Sequence, residues 1–291
     1  MKNTINNLKE TNISTIERVY YYMPHQIRPI MGRIYYFPVD TIDLLLGRRD
    51  ELTPPKGMTF VGYGNFKKIG GEFLRYFIEL GGLKPNEKVL DVGCGIGRMA
   101  VPLTKYLKDG GVYEGFDIVA DGIDWCRKKI TPKYPVFHFQ LADIYNKRYN
   151  PKGKYKASDY KFPYENESFD FVFLTSVFTH MLPKDMENYF SEIVRVLKRN
   201  GRCLITFFLL NTESLKLIDA RLSTLDFKYY IKGYRTINKN RPESAVAYDE
   251  KFIKDIYEKY ELNIVEPIHY GSWCGRGNFL SYQDIIMASK K

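Results

Sequence analysis

From Lys88 onward, short β-branched or aromatic runs alternate with stretches of helical spacing, the signature of strand-helix units that build a parallel sheet. Val89–Val92 predicts a first strand. Arg98–Leu107 carries Met99, Val101, Leu103, Tyr106 and Leu107 at helical intervals and is closed by Gly110-Gly111. Val112–Phe116 predicts a second strand, Ile123–Ile130 a helix stopped by Thr131-Pro132, and Val136–Leu141 a third strand. Phe169–Leu174 is almost continuously apolar, as a strand covered on both faces should be. Asp185–Leu197 then reads as an amphipathic helix and Gly201–Leu210 as a fifth strand.

Two stretches interrupt this alternation. A polar, tyrosine-rich segment from Asn146 to Glu167 is longer than an ordinary connection and is therefore a candidate functional loop. Residues 211–248 hold one helix and a Tyr/Lys-rich run, and are expected to form an insertion over the strand ends. A helix around Phe252, Ile253, Ile256 and Tyr257 follows, with strands at Leu262–Ile268 and Tyr282–Met287 that predict a terminal hairpin. The region before Gly64 reads as a separate, partly helical extension with segments at Ile16–Tyr22 and Thr41–Leu46, the latter ended by Gly47. The predicted organisation is an N-terminal extension and lid over residues 1–66 and an α/β domain over residues 67–291.

Composition narrows the class only a little. No run approaches the roughly 20 apolar residues of a membrane span, and the start lacks a signal-peptide core, so a cytoplasmic protein is expected. Cys94, Cys126, Cys203 and Cys274 lie far apart, which suggests neither a zinc cluster nor a disulfide framework. The formal charge of +10 favours an anionic partner, yet the basic residues are dispersed. Their densest stretch, Lys147–Lys161, is interleaved with tyrosines as an RNA-binding surface is, or as a solvated loop is.

The chemistry concentrates at the strand ends. Gly93, Gly95 and Gly97 follow the first strand and allow a tight turn that brings backbone amides close to a ligand. A dinucleotide fingerprint needs its third glycine at position 98, where this chain has Arg98, and no GK[ST] ending marks a P-loop. Asp117 at the end of the second strand is suited to accept hydrogen bonds from ribose hydroxyls, or to cap the next helix. Asp143, just past the third strand, is placed for an adenine amino group or for a turn.

Val89-Leu-Asp-Val-Gly-Cys-Gly-Ile-Gly97, the Asp117 and Asp143 positions, and Phe162-Pro-Tyr-Glu-Asn-Glu-Ser-Phe-Asp170 resemble the class I S-adenosylmethionine-dependent methyltransferases over most of Lys88–Met287. The resemblance implies a doubly wound, mostly parallel seven-stranded sheet with an antiparallel last strand, in agreement with the hairpin read from the C-terminal residues. It implies that Asp91, Gly93, Cys94, Gly95 and Gly97 hold the amino-acid end of S-adenosylmethionine, Asp117 the ribose and Asp143 the adenine. Ile118, Ala142, Ile144, Thr175 and Phe66 complete the implied cofactor set. Within the superfamily the chain is similar to bacterial small-molecule methyltransferases of biosynthetic clusters, including those for surface polysaccharides.

Methyl transfer is an in-line displacement, so a hydroxyl acceptor needs a base within hydrogen-bond reach. His180, immediately past the fourth strand, is the candidate, against a simple packing role at a helix start. His25 and His269 are weaker candidates, and His138 lies within an alternating strand, as a structural histidine would. Phe60–Phe66 is a candidate lid, and Trp273 and Arg276 are candidates for stacking on the substrate and for binding an anionic group. The expected activity is O-methylation of a small molecule such as a sugar, a glycan precursor or a secondary metabolite. An Asn-Pro-Pro-Tyr-type motif is missing after the fourth strand, which argues against methylation of a nucleobase amine, and a nucleic-acid partner is not expected. The competing readings are an N-methyltransferase, an RNA-binding or scaffold protein on the same fold, and a nicotinamide-dependent oxidoreductase that the displaced third glycine disfavours.

Overall fold

The computed structural model describes residues 28–59, 64–147 and 149–291. The chain divides into two compact units, residues 1–62 and 63–291. The expected helix at Ile16–Tyr22 and the first part of the proposed lid, residues 60–63, lie outside the described residues.

In the first unit, helix α1 spans Arg28–Leu45, beginning well before the expected Thr41 and running through Pro38. Pro38 lies on an exposed part of the helix, where water can serve the carbonyl that proline leaves without its usual amide partner. Gly47, at φ +64°, follows the end of the helix. The chain then folds back through a 3-10 turn at Lys56–Met58, whose Lys56 and Gly57 amides donate to the two oxygens of Asp40.

The second unit runs α2 (Phe66–Glu79), β1 (Lys88–Val92), α3 (Ala100–Leu103), β2 (Val112–Asp117), α4 (Ala120–Lys129), β3 (Phe137–Leu141), β4 (Phe169–Leu174), α5 (Pro183–Val196), β5 (Leu197–Phe207), β6 (Leu209–Leu210), α6 (Thr212–Asp219), β7 (Tyr229–Ile231), β8 (Tyr234–Thr236), β9 (Val246–Asp249), α7 (Glu250–Lys259), β10 (Leu262–His269) and β11 (Asp284–Lys290). Seven strands form one sheet in the order β10-β11-β5-β4-β1-β2-β3. All neighbours pair in parallel except β11, which is antiparallel to both β5 and β10. The predicted sheet and its reversed last strand are therefore present. From β1 the chain winds outward to β3 and then crosses back to β4, so the direction of winding reverses beside β1. A crevice for ligands belongs at the carboxyl ends of the strands on either side of such a reversal.

The core follows from the apolar strands. Leu90, Val92, Phe116, Phe169, Val172, Leu174, Ile205 and Phe207 are all fully or almost fully buried in one cluster with Phe190 and Ile193 of α5.

Two elements depart from expectation. The predicted helix over 98–107 is only the single turn α3. Pro102 lacks an amide, and the amides that follow reach back three residues, Lys105 to Pro102 and Tyr106 to Leu103, as in a 3-10 turn. The predicted strand 201–210 divides at Phe208. Its end leaves as β6 for a second, four-stranded sheet in the order β6-β9-β8-β7. Residues 211–248 thus contain α6 and three strands rather than one helix and an irregular run. α6 is set by a capping box in which the Ser214 amide donates to the Asn211 side chain and the Ser214 hydroxyl accepts from the Asn211 amide.

Candidate active site

The loop after β1 is built on backbone that ordinary residues avoid. Gly93, Gly95 and Gly97 have φ of +84°, +57° and +80°. A Cβ on Gly93 would stand 2.5 Å from Val177, and one on Gly97 would stand 2.9 Å from both Cys126 and Ile130. Conformation and packing therefore both demand glycine at those two positions. The amides of Gly93 and Cys94 donate to the Phe116 carbonyl, fixing the loop to β2.

Asp91 sits beneath this turn, 1% exposed. Its Oδ2 accepts from the Tyr113 hydroxyl at 2.7 Å, and its Oδ1 is buried with no hydrogen-bond partner. Burial pushes the carboxyl up to about 8; the Tyr113 hydrogen bond opposes the shift and the nearby Asp117 adds to it. Burial also raises the Cys94 and Cys126 thiols, so neither is a ready nucleophile.

Asp117 ends β2 half-buried. Its Oδ2 accepts the Gly95 amide at 2.8 Å and its Oδ1 the Val119 amide at 2.8 Å. The N-cap of α4 is Val119, so Asp117 is not that cap but braces the segment leading into it. The Ala142 amide in turn donates to the Asp117 carbonyl, and the pairings Val92↔Phe116 and Asp117↔Leu141 set the ends of β1, β2 and β3 side by side. Asp143 is half-exposed beyond β3. Its carbonyl accepts the Lys154 and Tyr155 amides, and its Oδ2 lies 3.7 Å from the Lys154 ammonium.

The remaining expected cofactor residues divide by exposure. Gly93, Ile118 and Thr175 retain surface at the strand ends. Ala142, Ile144 and Cys94 are 1%, 2% and 4% exposed and leave a ligand little to touch. Phe66 is a buried residue of α2.

Past β4, Ser176 takes φ +64°, an uncommon conformation for a residue with a side chain. Three hydrogen bonds hold it: its amide donates to Thr206 Oγ1, that hydroxyl donates to Gln283 Oε1, and Gln283 Nε2 donates to Ser176 Oγ. His180 closes the 3-10 turn Phe178–His180, half-buried, with Nδ1 3.0 Å from the Glu243 carbonyl oxygen. A carbonyl only accepts, so Nδ1 carries the hydrogen and the neutral ring keeps its lone pair on Nε2. His138 pairs with Glu114 at 2.9 Å on the exposed face of β3, away from this group.

Trp273 and Arg276, expected to contact the substrate, are both buried and bonded within the protein. Trp273 is fully buried against Phe208 and Phe227, with its indole N–H donated to Asp284 at 2.7 Å. Its ring offers no free face for stacking. Arg276 is 6% exposed and is engaged by Asp284, Glu213, Asn211 and the Gly271 carbonyl while lying over the Tyr270 ring. All three of its nitrogens donate to groups of the protein itself. Sequence reading missed the hub of this cluster, Asp284, which also accepts the Leu209 and Gly271 amides at 2.6 Å. An acidic residue opening an otherwise apolar strand was the available signal. The Ser176–Thr206–Gln283 brace left no local signal.

A Cβ-free bend at the first strand tip, carboxylates at the next two, and a seven-stranded sheet with its last strand reversed are the arrangement expected of a class I S-adenosylmethionine-dependent methyltransferase domain. Residues 90–205 match the family model described as a methyltransferase domain. Among curated proteins the chain is 28% identical over 153 residues to phosphoethanolamine N-methyltransferase 2 of Caenorhabditis elegans, covering 52% of this chain and 30% of that one. It is 33% identical over 123 residues to a sterol 24-C-methyltransferase of Gibberella zeae, covering 41% and 27%. The chain thus spans less than a third of the length of these two relatives. The crystal structure of the PH0226 protein from Pyrococcus horikoshii shares the fold, with a TM-score of 0.55 at 18% identity over 80% of this chain and 95% of that one.

The family's cofactor fits the residues present. Asp91 Oδ1 is a buried acceptor without a partner beside the glycine bend. Asp117 uses one acceptor site on each oxygen and keeps others for hydroxyl donors.

Proposed function

We propose that this protein methylates a hydroxyl oxygen of a small molecule, such as a sugar, a glycan precursor or a secondary metabolite, with S-adenosylmethionine as donor. The observation that carries this reading is the 3.0 Å contact between His180 Nδ1 and the Glu243 carbonyl, which puts the hydrogen on Nδ1 and makes Nε2 the basic nitrogen of the neutral ring. An alcohol must lose its proton as it attacks, whereas an amine with a free lone pair attacks without prior help. When bound, the cofactor would supply a sulfonium-activated methyl group whose carbon is open to in-line attack by the acceptor oxygen, with the neutral thioether as leaving group.

The protein's own part is to bind, orient and deprotonate. In this reading the glycine bend and Asp91 receive the amino-acid end, Asp117 the ribose hydroxyls, and Asp143 the adenine edge. His180 Nε2 takes the acceptor proton, and the Ser176–Thr206–Gln283 brace fixes the turn from which His180 projects. Residues 211–248 supply the carbonyl that sets the His180 tautomer and are the natural source of acceptor specificity.

The test is incubation with methyl-labelled S-adenosylmethionine and separate panels of sugars, sugar phosphates and amines. Label should enter hydroxyl compounds and be lost in His180→Gln. Label confined to amines overturns the oxygen acceptor, and failure to bind the cofactor overturns the whole reading.

A further inference from the structure

The two stretches that interrupt the strand-helix alternation meet at one side chain. Residues 211–248 reach His180 through the Glu243 carbonyl, which accepts from Nδ1 at 3.0 Å. The segment that begins at Asn146 reaches the same ring through Tyr149, which stands edge-to-face with the imidazole, the centroids 6.3 Å apart and the planes 75° to one another.

Tyr149 is not carried on slack chain. Asn146 and Asn150 exchange amide-to-carbonyl hydrogen bonds at 3.0 Å in both directions, and the Tyr149 amide donates to Asn146 Oδ1 at 3.0 Å. The Asn150 side-chain amide donates to the Ile144 carbonyl, and the Lys154 and Tyr155 amides both donate to the Asp143 carbonyl. The returning chain passes so close that a Cβ on Gly153 would stand 2.3 Å from the Tyr145 amide nitrogen. The turn is thus closed on itself and rooted just past β3, with Tyr149 half-buried upon it.

A single hydrogen bond fixes which nitrogen carries the hydrogen, but leaves the imidazole free to swing about the Nδ1···O line. A second contact, steeply inclined to the plane of the ring, removes that freedom. The restriction matters for a base, because misplacing a reacting group by about 1 Å costs roughly 10²-fold in rate.

We propose that Tyr149 is a positioning residue for His180, its ring holding the imidazole in the orientation in which Nδ1 meets Glu243 and Nε2 serves the acceptor. This rests on the reading of His180 as the base. The contact is made by the ring, so the Tyr149 hydroxyl is dispensable.

Nitrogen-15 NMR of the full chain reads the tautomer directly, and with four histidines the His180 signals are assigned by their absence from His180→Gln. The neutral wild-type ring should carry its hydrogen on Nδ1. In Tyr149→Ala the ring should divide between the two tautomers, and Tyr149→Phe should keep the wild-type state. Tyr149→Leu, which retains apolar bulk without an aromatic ring, should behave as the alanine variant and replaces it if the latter has a lowered unfolding midpoint. With the hydroxyl compound that the wild type labels best, kcat should fall by roughly 10²-fold in Tyr149→Ala and recover in Tyr149→Phe, while affinity for S-adenosylmethionine stays within about twofold. An unchanged tautomer in Tyr149→Ala overturns the proposal. So does a loss in Tyr149→Phe as large as that in Tyr149→Ala, which would move the role to the hydroxyl. A wild-type ring with its hydrogen on Nε2 overturns the reading of His180 as the base and the inference with it, whereas the other two outcomes fall on Tyr149 alone.

Discussion

The Gly95 amide donates to Asp117 Oδ2 across 2.8 Å, so one carboxylate at the tip of β2 holds the middle of the glycine bend at the tip of β1. Its other oxygen holds Val119 ahead of α4. Burial raises the Asp117 carboxyl, and the amides it accepts work against that shift by favouring the charged form. The shape of both strand tips thus depends on a single side chain, the one to which the proposed function assigns the ribose.

Asp117→Ala should therefore weaken S-adenosylmethionine binding by at least ~100-fold in calorimetry, since charged hydrogen bonds contribute about 1.5–3 kcal/mol each. Asp117→Asn, which keeps one oxygen acceptor, should fall between the two. Wild-type affinity in the alanine variant removes Asp117 from the site.

Asp91 makes stability depend on pH. Its carboxyl rises from 3.8 to about 8 on folding, so between those values the unfolded chain has released a proton that the folded chain retains. Stability from this group is complete at acid pH and is lost as pH rises through about 8. Urea midpoints measured across that range should decline, and Asp91→Asn should flatten the decline. A bound cation near Oδ1 favours the carboxylate, so cofactor binding at neutral pH should release protons, visible as a heat that changes with buffer ionisation enthalpy and is absent in Asp91→Asn.

His180→Gln should lower kcat by roughly 10²–10⁴-fold while cofactor affinity stays within about twofold. The acid limb of the pH profile, which reports protonation of Nε2, should vanish with it. A full rate in the variant would reduce His180 to a packing residue tied to Glu243.

Asp284 is fully buried, and burial moves its carboxyl up to about 6 against two amides, the Trp273 indole and Arg276. Asp284→Ala leaves the Arg276 guanidinium short of a buried partner and two amides unmet. The expected loss is about 3–5 kcal/mol, seen as a fall in Tm of roughly 10 °C. A loss under about 1 kcal/mol would show that Glu213 and Asn211 suffice for Arg276.

Where the sequence failed, the cause was distance along the chain. Trp273 and Arg276 lie in a glycine-flanked loop that looks like a pocket rim. Only the fold brings Phe208, Glu213 and Asn211 to them, some 60 residues away in sequence, and turns exposed-looking chemistry into core. The helix predicted at 98–107 is cut short for a local reason, since Pro102 brings apolar spacing but no amide to the helix. The strand predicted to end at Leu210 failed because Phe208 and Leu209 bond to Tyr248 and Asp284 rather than continuing beside β11.

The sequence alone determined the succession of strands and helices, the bend at Gly93, Gly95 and Gly97, and the acidic ends at Asp117 and Asp143. Those features depend on apolar period, on φ values open only to glycine, and on residues a few positions apart. Tertiary structure decided which tautomer His180 adopts, that Asp117 grips the bend, and that Asp284 engages Trp273 and Arg276. Each of these is set by a partner that local spacing does not record.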